Sequence, residues 1–191
     1  MKVVAISGSP RLKGHTNHLI DQALAELEAK GIETEKIVLN EYQFSPCQAH
    51  DNCASYEACL QKDDGNWILE KYSQADGVIL ASPVYFGSYS AQMKAFIDRS
   101  FFVFMHGIKM KMRCAGVIAI AGRGGDEETA KALSRFVSRV PGMQVLTLTG
   151  KSGRPDSDPK EQTELVEQAK DMGKKMAEIL TTEEHKEVQA T

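Results

Sequence analysis

The sequence predicts an α/β fold in which helices cover both faces of a parallel sheet. Short apolar runs rich in β-branched residues recur along the chain, and helical periodicity follows them. Several of these runs end in segments rich in Gly, Ser or Pro. Continuously apolar strands are typical of parallel sheets, because both of their faces are buried. Regular alternation of strand and helix indicates an α/β domain.

The first third of the chain provides two strands and two helices of this pattern. Residues 2–7 form a β-branched run that ends in a Gly-Ser-Pro loop, and residues 33–39 form a second run before a cysteine-containing stretch. Between them, residues 16–30 carry apolar side chains three and four positions apart, which predicts a helix closed by Gly31. Residues 63–74 predict a helix that begins at an aspartate.

The rest of the chain continues the alternation. Its predicted strands are residues 77–82, 114–121 and 143–148, all strongly apolar. Its predicted helices are residues 91–104, residues 126–140, which stop before Pro141, and residues 159–180. The last of these is amphipathic, with apolar side chains at Leu165, Val166, Ala169, Met172, Met176, Ile179 and Leu180.

Composition restricts the classes of function. Of the 191 residues, 42% are hydrophobic and 26% are charged, and the formal net charge is −3, which is typical of a globular domain. The negative charge provides no basic field for nucleic acid or an anionic membrane. No apolar run approaches the roughly 20 residues of a spanning helix, and the first apolar stretch is too short for a signal peptide. We therefore expect a cytoplasmic protein.

Three loops follow predicted strands and are rich in Gly, Ser, Pro or aromatic residues. They are residues 8–16, 83–90 and 121–127, hereafter the first, second and third loops. In open parallel sheets, ligands bind at the carboxyl ends of the strands. We therefore expect the three loops to form one binding site.

The first loop has the features of a phosphate site. It opens a helix, whose first N–H groups and positive dipole end attract anions. Ser9, Arg11, Thr16 and Asn17 add hydroxyl, guanidinium and amide donors. The loop has neither a Walker A nor a G-x-G-x-x-G pattern, which favours a monophosphate over a nucleoside triphosphate or a dinucleotide. The alternative is an ordinary strand-to-helix turn.

The second and third loops suit a flat ring. Tyr85 and Phe86 can flank a planar group, although aromatic residues in such folds are more often part of the core. Glycines allow backbone N–H groups to approach it, although the third loop could equally be a flexible turn. A phosphate site beside a site for a flat ring predicts a mononucleotide with a large ring system, and FMN fits. The predicted ring contacts are Pro83, Val84, Tyr85, Phe86, Gly87, Gly122, Gly124 and Gly125.

The segments SGSPRLKGHTN, SPVYFGSYSAQMKAFIDR and GRGG resemble the NAD(P)H-dependent FMN reductase and iron–sulfur flavoprotein family. The resemblance implies a flavodoxin-like, doubly wound, five-stranded parallel sheet of order 2-1-3-4-5. It also implies non-covalent FMN and a homodimer or homotetramer with flavin sites near an interface. Residues 1–181 would form one FMN-binding domain in which residues 46–64 are an inserted loop, and residues 182–191 would be a disordered tail.

The inserted loop contains Cys47, His50, Cys53 and Cys59. It resembles the cysteine run of iron–sulfur flavoproteins, with His50 at the position of the second cysteine. An iron–sulfur cluster prefers four thiolates, although histidine ligands occur. Zinc or a disulfide are further alternatives. We expect no metal here and interpret the loop as a polar wall beside the flavin.

The leading functional prediction is an enzyme that takes hydride from NAD(P)H onto FMN and passes electrons to a small acceptor. The flavin supplies this chemistry, and no residue is required as a general base, although His15, His50 and His106 could deliver protons. The alternatives are an electron-transfer protein with a cluster in the 47–59 loop, and a module that binds another phosphorylated ligand. Apolar residues between Ala95 and Met112 exceed what one helix face buries, which predicts a homodimer with Phe102 and Phe104 near the contact.

Overall fold

Five parallel strands form the centre of the computed structural model, which describes residues 1–153 and 157–182. The strands are β1 (Lys2–Ser7), β2 (Glu33–Val38), β3 (Gly77–Tyr85), β5 (Cys114–Ala121) and β6 (Gln144–Lys151), and a two-residue strand β4 (Ser88–Tyr89) pairs antiparallel with β3. The order β2-β1-β3-β5-β6 confirms the predicted order 2-1-3-4-5, since β4 lies off the parallel path.

Helices connect the strands across both faces of the sheet. They are α1 (His15–Glu28), α2 (Gly65–Gln74), α3 (Ala91–Arg99), α4 (Phe101–Met105), α5 (Asp126–Val137) and α6 (Thr163–Thr181). Short 3₁₀ turns occupy Leu39–Glu41, Cys53–Ser55 and Pro159–Glu161.

Alternate residues of the central strands pack into two separate cores. Val3 and Ala5 join the core formed with α1 and α6, whereas Val4 and Ile6 join the core formed with α2, α3 and α5. All eight residues of β5 are buried, as expected for a strand covered on both faces. The edge strand β2 is buried only at its last two residues. The fold is therefore doubly wound, as predicted.

Two predicted segments differ in kind from the observed ones, and several other predicted boundaries differ by up to four residues. The predicted helix 91–104 is interrupted at Ser100, whose hydroxyl donates to the Phe96 carbonyl at 2.8 Å, and α4 begins after it. The predicted second loop, residues 83–90, is instead the end of β3 and a tight turn into β4. Phe86 and Gly87 make this turn with φ values of 51° and 78°. Such a turn is hard to predict, because bulky residues rarely adopt positive φ.

The surface of α4 is unusually apolar. Phe101, Phe104, Met105 and Ile108 are 47%, 74%, 40% and 40% exposed, and we call them the α4 patch. Beside it, an open groove of about 830 Å³ runs along α2 and includes Trp67 among its lining residues. Phe102 instead stacks on the His106 ring, with 3.8 Å between ring centroids.

Two further expectations concern the chain ends and membranes. Apart from Thr182, the predicted tail 182–191 lies outside the described residues. Among the helices of the described part, none is both long and apolar enough to cross a membrane.

Candidate functional site

Buried serine hydroxyls connect the first and second loops. Ser90 is 1% exposed, its hydroxyl donates to the Gly8 carbonyl at 2.7 Å, and its N–H donates to the Ser82 hydroxyl at 2.9 Å. The Gly8 N–H donates to the Ala81 carbonyl at 2.8 Å. These bonds hold the segments after β1 and β3 side by side at the carboxyl edge of the sheet. The predicted ligand contacts did not include Ser82, which precedes the second loop, or Ser90, which is its last residue.

A cavity of about 240 Å³ opens where these loops meet. Helix α1 begins at this cavity without a side-chain cap and without an acidic residue in its first turn. Its first N–H groups are therefore available to an anion. Seven of the predicted ligand contacts line the cavity: Ser9, Arg11, Thr16, Pro83, Val84, Tyr85 and Gly122.

Internal hydrogen bonds fix the shape of the first loop. The Ser9 hydroxyl accepts from the Arg11 N–H at 3.3 Å, and the Asn17 amide donates to the Arg11 carbonyl at 2.8 Å. Asn17 is fully buried and does not line the cavity. Its Oδ1 has no hydrogen-bond partner among the described residues. The structure thus places Asn17 behind the loop that it braces.

The other four predicted contacts, Phe86, Gly87, Gly124 and Gly125, do not line the cavity. Phe86 is fully exposed at the tip of its turn, next to Tyr85, which is 44% exposed. A Cβ atom on Gly125 would lie 2.9 Å from the Gly87 Cα, so the third loop touches the second through bare backbone. Gly124, by contrast, has no such neighbour within 4 Å. The structure therefore brings the three loops together at one edge.

The segment after β6 forms a further wall that the sequence prediction missed. Ser152 and Gly153 line the cavity beside His15. The Ser157 hydroxyl lies 3.2 Å from His15 Nε2 and donates to the Ser152 carbonyl at 3.1 Å. A signal was available, because β6 is parallel to its neighbours and a Ser-Gly pair follows it.

Burial is the main cause that lowers the pKa of His15 below its ordinary value. The nearby His18 and Arg11 lower the pKa further, and Asp158 acts in the opposite direction. The ring is consequently uncharged at neutral pH, so it leaves the positive dipole end of α1 and Arg11 as the features that attract an anion.

Comparison with known proteins shows the family. Residues 1–150 match the family described as NADPH-dependent FMN reductase. The chain belongs to this family. An iron–sulfur flavoprotein of Methanocaldococcus jannaschii is 36% identical over 190 residues, which cover 94% of this chain and 97% of that protein.

Solved structures support the fold. An NAD(P)H:quinone oxidoreductase from Methanothermobacter marburgensis has a TM-score of 0.69 at 17% identity, covering 92% of this chain and 96% of that one. An archaeal flavodoxin has a TM-score of 0.62 at 14% identity, covering 95% of this chain and all of that one. Family membership identifies the chain as an FMN-dependent oxidoreductase with a flavodoxin-like fold.

The cavity fits the phosphate-bearing end of FMN. Its uncapped helix start, the hydroxyl residues Ser9 and Thr16 and the guanidinium residue Arg11 are the donor types that bind phosphate. A volume of about 240 Å³ is below the roughly 300–1,000 Å³ of cavities that enclose a whole ligand of this size. The flavin ring would therefore extend past Tyr85 toward the exposed Phe86.

The cysteine loop, residues 46–64, is clamped at its base by a buried ion pair. Arg99, at the end of α3, donates to the Asp63 carboxylate at 2.7 Å and to the Ser45 carbonyl at 3.1 Å. Asp63 in turn accepts from the N–H groups of Ser45 and Gly65, each at 3.0 Å. The Arg99 side chain is 1% exposed and that of Asp63 is 14% exposed. Both ends of the loop are thus fixed to one buried guanidinium.

Within the loop, the three thiols are neighbours but do not form a ligand set. Burial raises the pKa of the Cys53 thiol, and the nearby Cys59 and Cys47 raise it further. The Cys47 sulfur accepts from the Ala49 N–H at 3.4 Å. Within residues 1–153 and 157–182, however, no three His, Cys, Asp or Glu side chains are arranged to hold a metal ion.

Replacing Asp63 with Asn should destabilise the protein, because the Arg99 charge would stay buried without its carboxylate. Breaking a buried pair costs about 3–5 kcal/mol, and the partial exposure of Asp63 favours the lower end. Urea unfolding at pH 7 measures this. Asp98→Asn, which breaks the exposed Lys94–Asp98 pair, should change the free energy of unfolding by less than about 1 kcal/mol. Equal losses in both variants would contradict the clamp.

The same pair predicts a dependence on acid. Burial alone would raise the pKa of Asp63, but the Arg99 hydrogen bond and two backbone N–H groups outweigh it and hold the pKa below its usual value. A lowered pKa stabilises the fold fully above the unfolded-state pKa of about 3.9. That contribution is lost as pH falls through the folded-state pKa. The difference in the free energy of unfolding between wild type and Asp63→Asn should therefore become smaller below about pH 4.

Proposed function

We propose that this FMN-dependent oxidoreductase takes hydride from NAD(P)H and passes electrons to a small acceptor, acting in the cytoplasm. The observation that supports the proposal best is the cavity at the start of α1, which joins an anion site to an open aromatic edge. Family membership supplies FMN as the group to be held there. One of the solved structures with a similar fold is an NAD(P)H:quinone oxidoreductase by its name.

The first loop would bind the phosphate end of FMN, and the second and third loops would bind its ring. Ser9, Arg11, Thr16 and the first N–H groups of α1 would hold the phosphate. Asn17 would act indirectly, by fixing the Arg11 carbonyl and with it the loop. The two remaining loops would contact the ring through Pro83, Val84, Tyr85, Phe86, Gly87, Gly122, Gly124 and Gly125.

An exposed ring face is what an electron-transferring flavin needs. FMN supplies the hydride chemistry when bound, so the chain has to position the ring and leave one side open. Phe86 is held with positive φ and is fully exposed at this edge. Strain in an exposed aromatic residue is a feature of functional sites. We infer that NAD(P)H and the acceptor approach beside Phe86.

Purified protein should contain one FMN per chain. In the Thr16→Ala/Asn17→Ala variant, loss of one donor and of the loop brace should weaken FMN binding by about 1–3 kcal/mol. Quenching of FMN fluorescence on addition of apoprotein measures the dissociation constant. Thr34→Ala on the exposed strand β2 serves as the control. If the double variant binds FMN as tightly as wild type, the phosphate assignment is wrong. Anaerobic bleaching of the flavin by NADH or NADPH then tests the donor.

A second candidate function is that of an iron–sulfur flavoprotein acting in electron transfer. The curated relative carries that name, and the chain keeps three thiols in the corresponding loop, with the Ala49 N–H bonded to Cys47. Amide hydrogen bonds to sulfur are among the features that tune such clusters. His50 replaces the fourth thiolate, which weakens this candidate relative to the first.

Anaerobic reconstitution with iron and sulfide separates the two functions. We expect wild type to take up little iron, because it offers three thiols and one imidazole. His50→Cys completes a four-thiolate set and is the variant expected to gain a cluster. Cys114→Ala removes the buried thiol outside the loop and serves as the control. Uptake of about four irons by wild type, lost on Cys53→Ala, would instead support the electron carrier.

We further propose that the α4 patch is covered by a second copy of the chain in a homodimer or homotetramer. Four large apolar side chains exposed on one short segment are typical of an interface. Phe104→Ser should shift the mass in solution toward the monomer at micromolar concentration. Leu12→Ser, which removes a leucine that is 54% exposed in the first loop, should not. A monomeric wild type, measured by light scattering, would refute the interface.

A further inference from the structure

His15 lies where a bound phosphate would act on it. It is the first residue of α1, it is 8% exposed, and it lines the cavity beside Arg11 and Thr16. Hydroxyl, amide and guanidinium groups do not change charge near neutral pH, whereas imidazole does. His15 is therefore the residue in this cavity whose charge can respond to the ligand.

Ser157 is a hydrogen-bond partner of the His15 ring. Its hydroxyl oxygen lies 3.2 Å from His15 Nε2 and 3.1 Å from the Ser152 carbonyl oxygen. A hydroxyl can accept one hydrogen bond while it donates another, so Ser157 can accept from Nε2–H while it donates to Ser152. In that arrangement Nδ1 is the ring nitrogen that takes up a further proton.

The charged and titratable groups around the ring keep it neutral in the free protein. Arg11 in the first loop and His18 one turn along α1 disfavour a second positive charge, as does burial, while Asp158 favours it. Tyr85 lines the same cavity from β3. A phosphate dianion at the start of α1 would add up to two negative charges next to the ring and reverse this balance.

We propose that His15 becomes protonated when the phosphate group of FMN binds at the start of α1. The proposal rests on the proposed FMN site and deepens it. The His15 imidazole takes one proton from solvent for each flavin bound, and no other bond forms or breaks. The protonated ring then adds a positive charge to a phosphate site that otherwise depends on Arg11 and helix N–H groups.

Protonation on binding makes FMN affinity depend on pH in a defined direction. The proton is taken up between the low pKa of the free ring and the higher pKa of the bound ring. In that window, affinity falls as pH rises, by up to about tenfold per pH unit for one proton. Titration of free FMN adds little to this pH dependence above about pH 7. Its phosphate has a second pKa near 6 and is already a dianion there.

Titration calorimetry of the full chain with FMN tests the proposal. Measurements at pH 7.5 in two buffers of different ionisation enthalpy, such as HEPES and Tris, give the number of protons taken up. Wild type should take up as much as one proton per FMN and none with riboflavin, which lacks the phosphate. This ligand comparison uses the wild type alone, so it does not depend on how any variant folds.

Two matched variants locate the proton. His15→Asn should bind FMN more weakly, with no proton uptake, whereas His18→Asn should keep the uptake. Stoichiometric FMN binding by wild type without proton uptake would overturn the inference while leaving the FMN site intact. Uptake that persists in His15→Asn, or that equals the riboflavin value, would overturn it as well. Failure to bind any flavin would instead refute the proposed function.

Discussion

The hydroxyl of Ser90 is the contact on which the candidate site depends. It donates to the Gly8 carbonyl after β1 and accepts from the Met93 N–H at 3.3 Å, so one oxygen joins the first loop to the start of α3. Packing around Gly8 is close, because a Cβ atom on this residue would lie 2.6 Å from the Ser90 hydroxyl oxygen. A buried hydroxyl that both donates and accepts a hydrogen bond fixes the distance between the two segments it joins and their relative orientation. The cavity exists because the two loops cannot separate.

Helix α3 extends this constraint to the cysteine loop. It begins after Ser90 at the flavin edge and ends at Arg99, which clamps both ends of that loop. Nine helical residues span about 13 Å, so a rigid element connects the two regions. Helix α3 therefore has the contact with the first loop at one end and the clamp of the cysteine loop at the other.

The sequence predicted the sheet and the location of the site better than the site's internal contacts. The predicted bounds of β1 and β5 match the structure at every residue, because a continuous apolar run indicates a strand that is buried on both faces. Periodicity does not show where a polar side chain in the first turn of a helix points, so the inward position of Asn17 was missed. The Ser90–Gly8 bond joins residues 82 positions apart, and the Ser157–His15 contact joins residues 142 positions apart. Such contacts arise only when the sheet order brings the loops together.

The helices that follow β1, β3 and β5 differ in how the N–H groups of their first turns are capped or neutralised. Ser90 caps α3, and α5 begins with Asp126, Glu127 and Glu128, which already occupy its positive dipole end. Only α1, of these three, begins without a cap or an acidic residue. An anion at this edge is therefore attracted to α1 and repelled from α5. In the proposed binding mode, with the phosphate at α1, the flavin ring would extend along the second loop, toward Tyr85 and Phe86.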